Sequence, residues 1–284
     1  MRYCGREFTE TEIERIRQLL VDQPQLHRAG LSRAVCEQLP WRRPDGRLKE
    51  MSCRVAMLRM AEDGLISLPP ARRARPAGYR LSTHIERATE VPEFVPEVDL
   101  GKLTVELVTK RDSPLWNGYV HRYHYLGHQL IPGAQLRYFV RVADQVVALL
   151  SFGASAWKTK PRDEHIGWSA EQRVRNLHLI VNNSRFLILP WIQRNNLASR
   201  ILALISRRLP QDWLTAYAYS PVLLETFVEK PRFTGTCYKA ANWRYLGDTQ
   251  GRGKLDQFWL YGKPVKSIWV YPLVGDFRRY LCTP

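Results

Sequence analysis

The sequence predicts a mixed α/β (α+β) protein of two domains, a small helical domain followed by a larger one built on a mixed sheet. Between residues 8 and 63, three stretches show the spacing of apolar residues that is typical of helices. Residues 91–97, VPEFVPE, are Pro-rich and acidic. From residue 103 onward, short runs rich in Val, Ile, Leu and aromatic residues alternate with helical stretches, which favours a sheet covered by helices.

The Pro-rich stretch gives the expected domain limits. Proline disfavours helix in the residue before it, so VPEFVPE is expected to be extended. We therefore predict a first domain at residues 1–90, a linker at 91–100 and a second domain at 101–284.

Both domains are basic. The chain carries a net charge of +16, and its pI is about 9.9. Residues 1–90 hold 17 Lys and Arg against 12 Asp and Glu, and residues 91–284 hold the other 26 against 15. Solubility does not need such an excess, so the charge favours a polyanionic partner, most simply DNA.

Other whole-chain features exclude several classes of protein. No stretch approaches the roughly 18 consecutive apolar residues of a membrane span, and residues 1–16 lack the apolar core of a signal peptide. The five cysteines are widely spaced and form no CxxC pair, which argues against a zinc ribbon or a disulfide scaffold. We expect a cytoplasmic protein with reduced thiols and no membrane partner.

The first domain has the element order of a winged helix-turn-helix. We predict helices at 8–20, 30–39 and 48–63, followed by a short strand at 65–70. In that motif the third helix enters the major groove of DNA. The alternative is a small helical cap with solvated arginines. The side chains expected to contact DNA are Arg47, Lys49, Ser52, Arg54 and Arg59 on the third helix, with Arg72, Arg73 and Arg75 in a basic arm.

The second domain begins with a strand at 103–108, a helix at 115–126 and a hairpin of strands at 135–142 and 146–152. A long apolar strand at 177–189 then leads into a helix that starts near residue 196 and ends at Pro210. The remaining predicted elements are a strand at 221–228, a short helix after the turn at 233, and strands at 244–249 and 266–273.

The long strand carries an unusual polar interruption, Asn182-Asn183-Ser184-Arg185. Polar groups in a buried strand need partners. Asn182 and Asn183 are expected either to read a base edge or hold a cofactor, or to bond the backbone of a β-bulge.

This order of hairpin, strand, helix, strand, short helix and strand resembles the N-acetyltransferase-like (GNAT) fold. The resemblance implies that a cofactor pyrophosphate docks on the N-terminus of the helix after the fourth strand. Residues 193–198, QRNNLA, occupy that place without the expected glycines, so the cofactor stays unknown. The candidates for cofactor contact are Asn182, Asn183, Arg194 and Asn196.

Four longer motifs resemble a narrower family. They are RNLHLIVNNSRFLILP at 175–190, VLLETFV at 222–228, GTCYKAANW at 235–243 and GDTQGRG at 247–253. They are similar to the DruA family, a component of the Druantia anti-phage defence system, and similar domains occur beside transposases. The resemblance implies a role with DNA in defence or mobile-element biology, and it implies no established reaction.

Three residues are candidates for catalysis. Glu225 lies in the middle of a buried strand, where a raised pKa would suit a general base, or it forms a salt bridge to Arg185 or Arg244. Cys237 and Tyr238 follow a Gly-Thr turn at an expected helix start, which lowers a thiol pKa. A small buried cysteine is the alternative.

Metal binding is a minor interpretation. Glu225, Asp248 and Asp256 are oxygen ligands suited to magnesium, and His121, His124 and His128 share a helical spacing. Basic neighbours surround both sets, so we expect no metal site. The second-domain side chains expected to contact DNA are Trp157, Lys158, Lys160, Arg162, Arg185, Asn242, Trp243, Gln250, Arg252 and Lys254.

Together these features predict a DNA-binding protein of the DruA type, in defence or mobile-element function, with modification of DNA as a further expectation. The first alternative is a non-catalytic DNA adaptor that recruits a helicase or transposase. The second is a metal-dependent DNA nuclease.

Overall fold

The computed structural model describes residues 1–70, 89–93, 95, 97–131, 133–251, 262 and 264–283. The contacts divide the chain into two compact units, residues 1–79 and 80–284. The end of the expected first domain and the expected linker both contribute contacts to the second unit. Thr89, expected in the first domain, accepts from the Tyr123 hydroxyl at 2.6 Å, and Val98, expected in the linker, is buried in that unit's core.

The first unit contains the three predicted helices, which are confirmed within two residues at each end. A small antiparallel hairpin precedes them. The elements are β1 Arg2–Tyr3, β2 Arg6–Glu7, α1 Glu10–Asp22, α2 Arg28–Gln38 and α3 Glu50–Glu62. A capping box formed by Thr9 and Glu12 starts α1, because each side chain accepts the other residue's backbone N–H.

The connection from α2 to α3 is a tight hairpin, residues 41–49, which we call the basic hairpin. Arg42 pairs with Leu48, and Arg43 N–H donates to the Arg47 carbonyl at 2.7 Å. Gly46 has a φ of +78°, which glycine adopts at low cost. Trp41 anchors the hairpin, because its buried ring packs on the Phe8 ring with centroids 5.4 Å apart.

The predicted strand at residues 65–70 is wrong. These residues pair with no strand among those the structure describes. Arg17 Nε instead donates to the Leu65 carbonyl at 2.8 Å, and Arg28 Nε donates to the Pro69 carbonyl at 2.7 Å. Pro69 and Pro70 also carry no N–H for a ladder. The winged helix-turn-helix stays a prediction, and Arg72, Arg73 and Arg75 lie outside the described residues.

The second unit is built on a mixed sheet of seven strands in the order β3-β4-β5-β6-β7-β9-β8. Only the β6–β7 pair is parallel, and every other pair is antiparallel. The strands are β3 Leu103–Leu107, β4 Gln135–Val142, β5 Gln145–Ala154, β6 Ile180–Ile188, β7 Leu223–Glu229, β8 Arg244–Asp248 and β9 Lys266–Pro272.

The helices of the second unit are α4 Ser113–Tyr123, α5 Lys160–Ile166, α6 Ala170–Asn176, α7 Leu197–Tyr217, α8 Thr236–Ala240 and α9 Phe277–Leu281. Pro210 was predicted to end α7, but it lies inside the helix. An internal proline costs about 3 kcal/mol. Burial of Leu209 and Trp213 offsets that cost, because both side chains lie in the core. No helix in the described part of the chain is long and apolar enough to cross a membrane.

The parallel pair β6–β7 separates after a short contact. Only three residue pairs align, and the last is Asn182 with Glu225. On its other edge β6 carries a β-bulge, because the register with β5 shifts between Ser151 and Phe152. The strand order and the diverging pair confirm the predicted GNAT-like mixed sheet.

A glycine holds the turn into α8 against this sheet. Gly235 has a φ of +77°, and a Cβ there would lie 2.7 Å from the Trp269 indole. We expect Gly235→Ala to lower the free energy of unfolding by roughly 1–3 kcal/mol, through backbone strain and the clash. Urea denaturation measures this. Gly275→Ala is the control, because no atom lies within 4 Å of its added Cβ; an equal loss in both variants would contradict the packing argument.

Candidate functional site

The candidate site lies where β6 and β7 diverge, and each face of the sheet carries its own polar cluster. Side chains of adjacent strand residues point to opposite faces. Asn183 and Thr226 point toward α8, where both contact Tyr238. Asn182 and Glu225 share the opposite face, where Glu225 contacts α5.

On the α8 side, a buried hydrogen-bond network bridges the two strands. The Tyr238 hydroxyl donates to Asn183 Oδ1 at 2.8 Å, and Thr226 Oγ1 donates to the Asn183 carbonyl at 3.0 Å. Asn183 Nδ2 donates to the carbonyls of Ser151 at 3.1 Å and Arg185 at 3.0 Å. Asn183 therefore bonds the backbone of the β-bulge, which was the alternative to reading a base edge or holding a cofactor.

On the α5 side, Glu225 forms a buried ion pair with Arg162. Both residues are 0% exposed, and Glu225 Oε2 lies 2.9 Å from Arg162 Nη1. The Ala156 N–H donates to Glu225 Oε1 at 2.7 Å. Arg162 also pairs with Asp163 Oδ1 at 2.8 Å and donates to the Ala156 carbonyl. Both carboxylate oxygens of Glu225 are thus occupied.

The ion pair shifts the titration of both partners. Burial raises the pKa of the Glu225 carboxyl, and the Arg162 charge opposes this rise. Burial acts to lower the pKa of the Arg162 guanidinium, but Glu225 and Asp163 outweigh it and raise that pKa. The salt-bridge interpretation of Glu225 is the one the geometry supports. Its partner is Arg162 and not Arg185 or Arg244.

Cys237 and Tyr238 do not have the activated character that was predicted. Burial raises the pKa of the Cys237 thiol, which corrects the expectation of a lowered value at the start of α8. The helix spans only five residues, so its dipole is small. Burial also raises the pKa of Tyr238, and its hydroxyl donates to Asn183. Both groups are therefore protonated at neutral pH.

The fold family implies acetyl-CoA, and the residues present do not fit its acyl arm. Asn183, Thr226 and Tyr238 are each at most 7% exposed, and hydrogen bonds join them across the two strands. A pantetheine arm that entered between the strands would have to break these buried hydrogen bonds. At the N-terminus of α7, Arg194 and Asn196 are exposed, and Asn196 has a φ of +63°. That end of α7 offers free amides but no glycine.

The predicted DNA-contacting residues of the second unit fall into three groups. Those on the surface are Trp157, Lys158, Lys160, Asn242 and Gln250. Arg162, Arg185 and Trp243 are buried, which corrects their expected place on a surface. Trp243 packs between Tyr238 at 5.1 Å and Tyr271 at 5.8 Å, so it is part of the core and not a stacking surface. Arg252 and Lys254 lie outside the described residues.

Two of the three carboxylates in the magnesium alternative are engaged by other side chains. Glu225 accepts from Arg162 Nη1, and Asp248 accepts from Lys230 Nζ at 2.6 Å and from the Tyr245 hydroxyl at 2.9 Å. Asp256 lies outside the part of the chain that the structure describes. Within that part, no group of three His, Cys, Asp or Glu is placed to hold a metal.

Asn182 differs from its neighbours, because its Oδ1 is buried and has no hydrogen-bond partner. A buried polar atom without a partner is costly, so Asn182 is the residue of this pair of strands whose side chain the internal hydrogen bonds do not explain. Sequence analysis also missed Arg42 and Arg43, which the basic hairpin exposes. The sequence feature that could have found them is Pro44-Asp45-Gly46, which directly follows Arg42 and Arg43. Pro-Asp-Gly is a turn sequence, and the side chains that flank a turn lie on the surface.

The strand order and the diverging β6–β7 pair define an acetyltransferase-like protein. The chain belongs to the DruA family: the family described as Druantia protein DruA matches residues 79–265. The family is that of an anti-phage defence system. No curated protein matches the chain.

Solved structures similar to the chain are acetyltransferases. The ribosomal-protein-S18-alanine N-acetyltransferase from Escherichia coli has 11% identity and a TM-score of 0.40, covering 60% of this chain and 94% of that one. The polyamine N-acetyltransferase of Drosophila melanogaster has 12% identity and a TM-score of 0.38, covering 60% and 99%. An N-acetyltransferase from Staphylococcus aureus Mu50 has 10% identity and a TM-score of 0.36, covering 60% and 97%.

We expect Glu225→Gln to destabilise the second unit by about 3–5 kcal/mol, because Arg162 would lose a buried counter-charge. Urea denaturation measures this loss. The double variant Arg162→Met, Glu225→Leu should recover part of it, since neither charge of the pair stays buried and Asp163 keeps Arg173 at 3.5 Å. As a matched control, Asp248→Asn breaks a partly exposed pair and should cost less than about 1 kcal/mol. Stability unchanged in Glu225→Gln would contradict the ion-pair role.

His124 should make stability depend on pH. Burial, with a smaller effect of Arg185, lowers its pKa from 6.5 to about 4. Its Nδ1 accepts the Leu126 N–H at 3.2 Å, and a proton would break that bond. The unfolded chain therefore binds a proton first, and stability falls as pH drops below 6.5 toward 4.

We expect His124→Gln to lose less stability than the unmodified protein when pH is lowered from about 7 to about 5, by on the order of 1 kcal/mol. Urea denaturation at both values tests this. Carboxylates titrate in both proteins, so the difference isolates His124. Equal pH dependence in the two proteins would show that the imidazole is freely protonated.

Proposed function

We propose that the protein acts in anti-phage defence by binding DNA, and that its first unit holds the duplex. The basic hairpin is the observation that supports this most. Arg42, Arg43 and Arg47 are all exposed there, and none of them pairs with an acidic side chain that the structure describes. The hairpin's acidic residue, Asp45, is engaged by the Arg47 backbone N–H at 3.0 Å.

Positive charges lie close together in the hairpin. Burial lowers the pKa of Lys49, and the nearby charge of Arg43 lowers it further. Like charges crowded on a rigid turn favour a polyanion, because phosphates relieve the repulsion and release condensed counterions. The hairpin has the charge and geometry for phosphate contacts, which position a protein on DNA without reading sequence.

The start of α3 adjoins this hairpin. Arg59 is exposed on that helix, and Ser52 is half-buried. Arg54 is half-buried too, and its Nε is buried without a hydrogen-bond partner. Exposed Met51 and Val55 share the surface of α3, and apolar side chains can contact the methyl groups of thymine. We include Arg47, Lys49, Ser52, Arg54 and Arg59 in the proposed duplex surface.

The second unit offers a separate basic surface before α5. Trp157 is 39% exposed, and the Arg173 guanidinium lies 5.8 Å from its ring. Lys158 and Lys160 are exposed beside it, and the nearest acid to Lys160 Nζ is Glu164 at 3.8 Å. This cluster supports additional phosphate contacts. The proposed surface of this unit also includes Asn242 and Gln250.

A specific observation favours a non-catalytic adaptor over modification of DNA. Glu225 forms an ion pair with Arg162, and the Tyr238 hydroxyl donates to Asn183. Burial raises the pKa of the Cys237 thiol, so it is protonated at neutral pH. A catalytic acid or base needs an atom that reaches the reacting group. The adaptor would hold DNA while a helicase or transposase acts on it. Modification of DNA would need these internal contacts to open.

Phosphate contacts by the hairpin predict a defined salt dependence. We expect the Arg43→Ala, Arg47→Ala double variant to bind duplex DNA more weakly. The slope of log affinity against log salt should fall by about 2, since each contact contributes about 0.9. Fluorescence anisotropy with a labelled duplex over a salt series measures this slope.

The matched control removes two exposed positive charges elsewhere. Arg207 and Arg279 lie on α7 and α9 of the second unit. Arg207→Ala, Arg279→Ala has the same net charge as the hairpin variant. A similar drop in slope for both variants would mean that net charge alone drives binding. A flat salt response of the unmodified protein would refute DNA binding.

A further inference from the structure

Two exposed aromatic rings meet beside the strand divergence. Tyr125 follows α4 and is 37% exposed, and Phe233 precedes α8 and is 51% exposed. Their ring centroids are 5.5 Å apart with planes at 56°. These residues come from distant parts of the chain, so only the fold brings them together. Large exposed rings in contact are uncommon on a surface that binds nothing.

The Tyr125 ring is fixed in place. The His124 ring stacks on it with centroids 4.9 Å apart, and the Arg232 guanidinium lies 5.1 Å from its centroid. Glu229 holds Arg232 at 3.0 Å. Contacts with His124 and Arg232 therefore fix the Tyr125 ring and cover much of its two faces, so it forms a rigid wall. Phe233 has the more exposed ring of the two, and its surface is open to a planar ligand.

A buried cation lies behind these rings. Arg185 is 9% exposed, and its hydrogen bonds run to two neutral carbonyls, from Nε to Gly127 at 3.3 Å and from Nη1 to Ser184 at 2.7 Å. It has no carboxylate partner among the described residues. Arg185 lies close enough to Tyr125 for each to affect the other's pKa. A buried charge without a counter-charge is costly, and an anionic ligand would supply one.

We propose that Phe233, Tyr125 and Arg185 form a binding site for an unpaired nucleobase and its adjoining phosphate in single-stranded DNA. The base stacks on Phe233 against the Tyr125 wall, and Arg185 and Arg232 meet the phosphate. Stacking on an aromatic ring tolerates any base, because every base has a π face. This inference rests on the proposed function and adds the strand state that the second unit binds.

The site selects unpaired over paired DNA by geometry. Bases inside a duplex are already stacked on each other, and only an unstacked base presents its face to Phe233. The two units would then bind different forms of DNA, the basic hairpin the duplex and this site a separated strand. Such a protein recognises DNA that has been locally opened.

The test uses the full chain with a labelled thymine oligonucleotide and, separately, a labelled duplex. We expect Phe233→Ala to weaken single-strand affinity by about 5- to 100-fold, the range found for loss of one base–aromatic stack. Duplex affinity should change less than about twofold. Fluorescence anisotropy measures both. Phe233→Trp should keep the affinity, and Phe233→Leu, which keeps an apolar side chain without a ring, should lose it.

Tyr280→Ala is the matched control, because Tyr280 is also 51% exposed and lies in the same unit. Single-strand affinity that is unchanged in Phe233→Ala, or lost equally in Tyr280→Ala, overturns the proposal. Affinity kept in Phe233→Leu also overturns it, since a general apolar contact would suit a peptide. The proposed function is judged separately, by duplex binding and the Arg43→Ala, Arg47→Ala variant, so failure of one does not mimic failure of the other.

Discussion

The buried ion pair between Arg162 and Glu225 is the constraint on which the second unit depends. It connects α5 to Glu225, the last residue of β7 that pairs with β6, at the point where these two strands separate. On the opposite face, Asn183 and Tyr238 tie β6 to α8. Removing either the carboxylate or the guanidinium would leave a fully buried charge without this counter-charge. The side chains of Glu225, Asn183 and Thr226 are therefore hydrogen-bonded where the strands diverge, whereas Asn182 Oδ1 is buried without a partner.

This constraint also limits what the site can do. Between the diverging strands, the polar side chains of Asn183, Thr226 and Tyr238 are buried and bond one another. The accessible cations and aromatic rings lie outside this polar network, on the surface of each unit separately. The basic hairpin of the first unit and the Tyr125–Phe233 rings of the second both combine cations with accessible surface. Membership of the DruA family and the high positive charge support the proposal that these surfaces bind DNA.

Periodicity predicted every strand of the sheet and the helices of the first unit, because these elements bury regular apolar faces. It failed where long-range contacts overruled local preference. Pro210 lies within α7, since the buried Trp213 beyond it holds the helix together. The strand at residues 65–70 is absent because arginine side chains, and not a strand, take its carbonyls. Helix α5 begins at Lys160, among the residues expected to contact DNA, and this buries Arg162.

The sequence by itself determined the class of fold, the family and the basic character of both units, because these follow from local pattern, motif and composition. Only the tertiary structure decided which polar side chains are partnered. Arg162 and Glu225 are 63 positions apart, and Tyr125 and Phe233 come from separate segments. No local pattern encodes such pairs, because a side chain's partner depends on which strands and helices become neighbours. For that reason Glu225 and Tyr238 proved to be internal contacts, and the exposed Arg42 and Arg43 and the Tyr125–Phe233 ring pair were identified only in the folded chain.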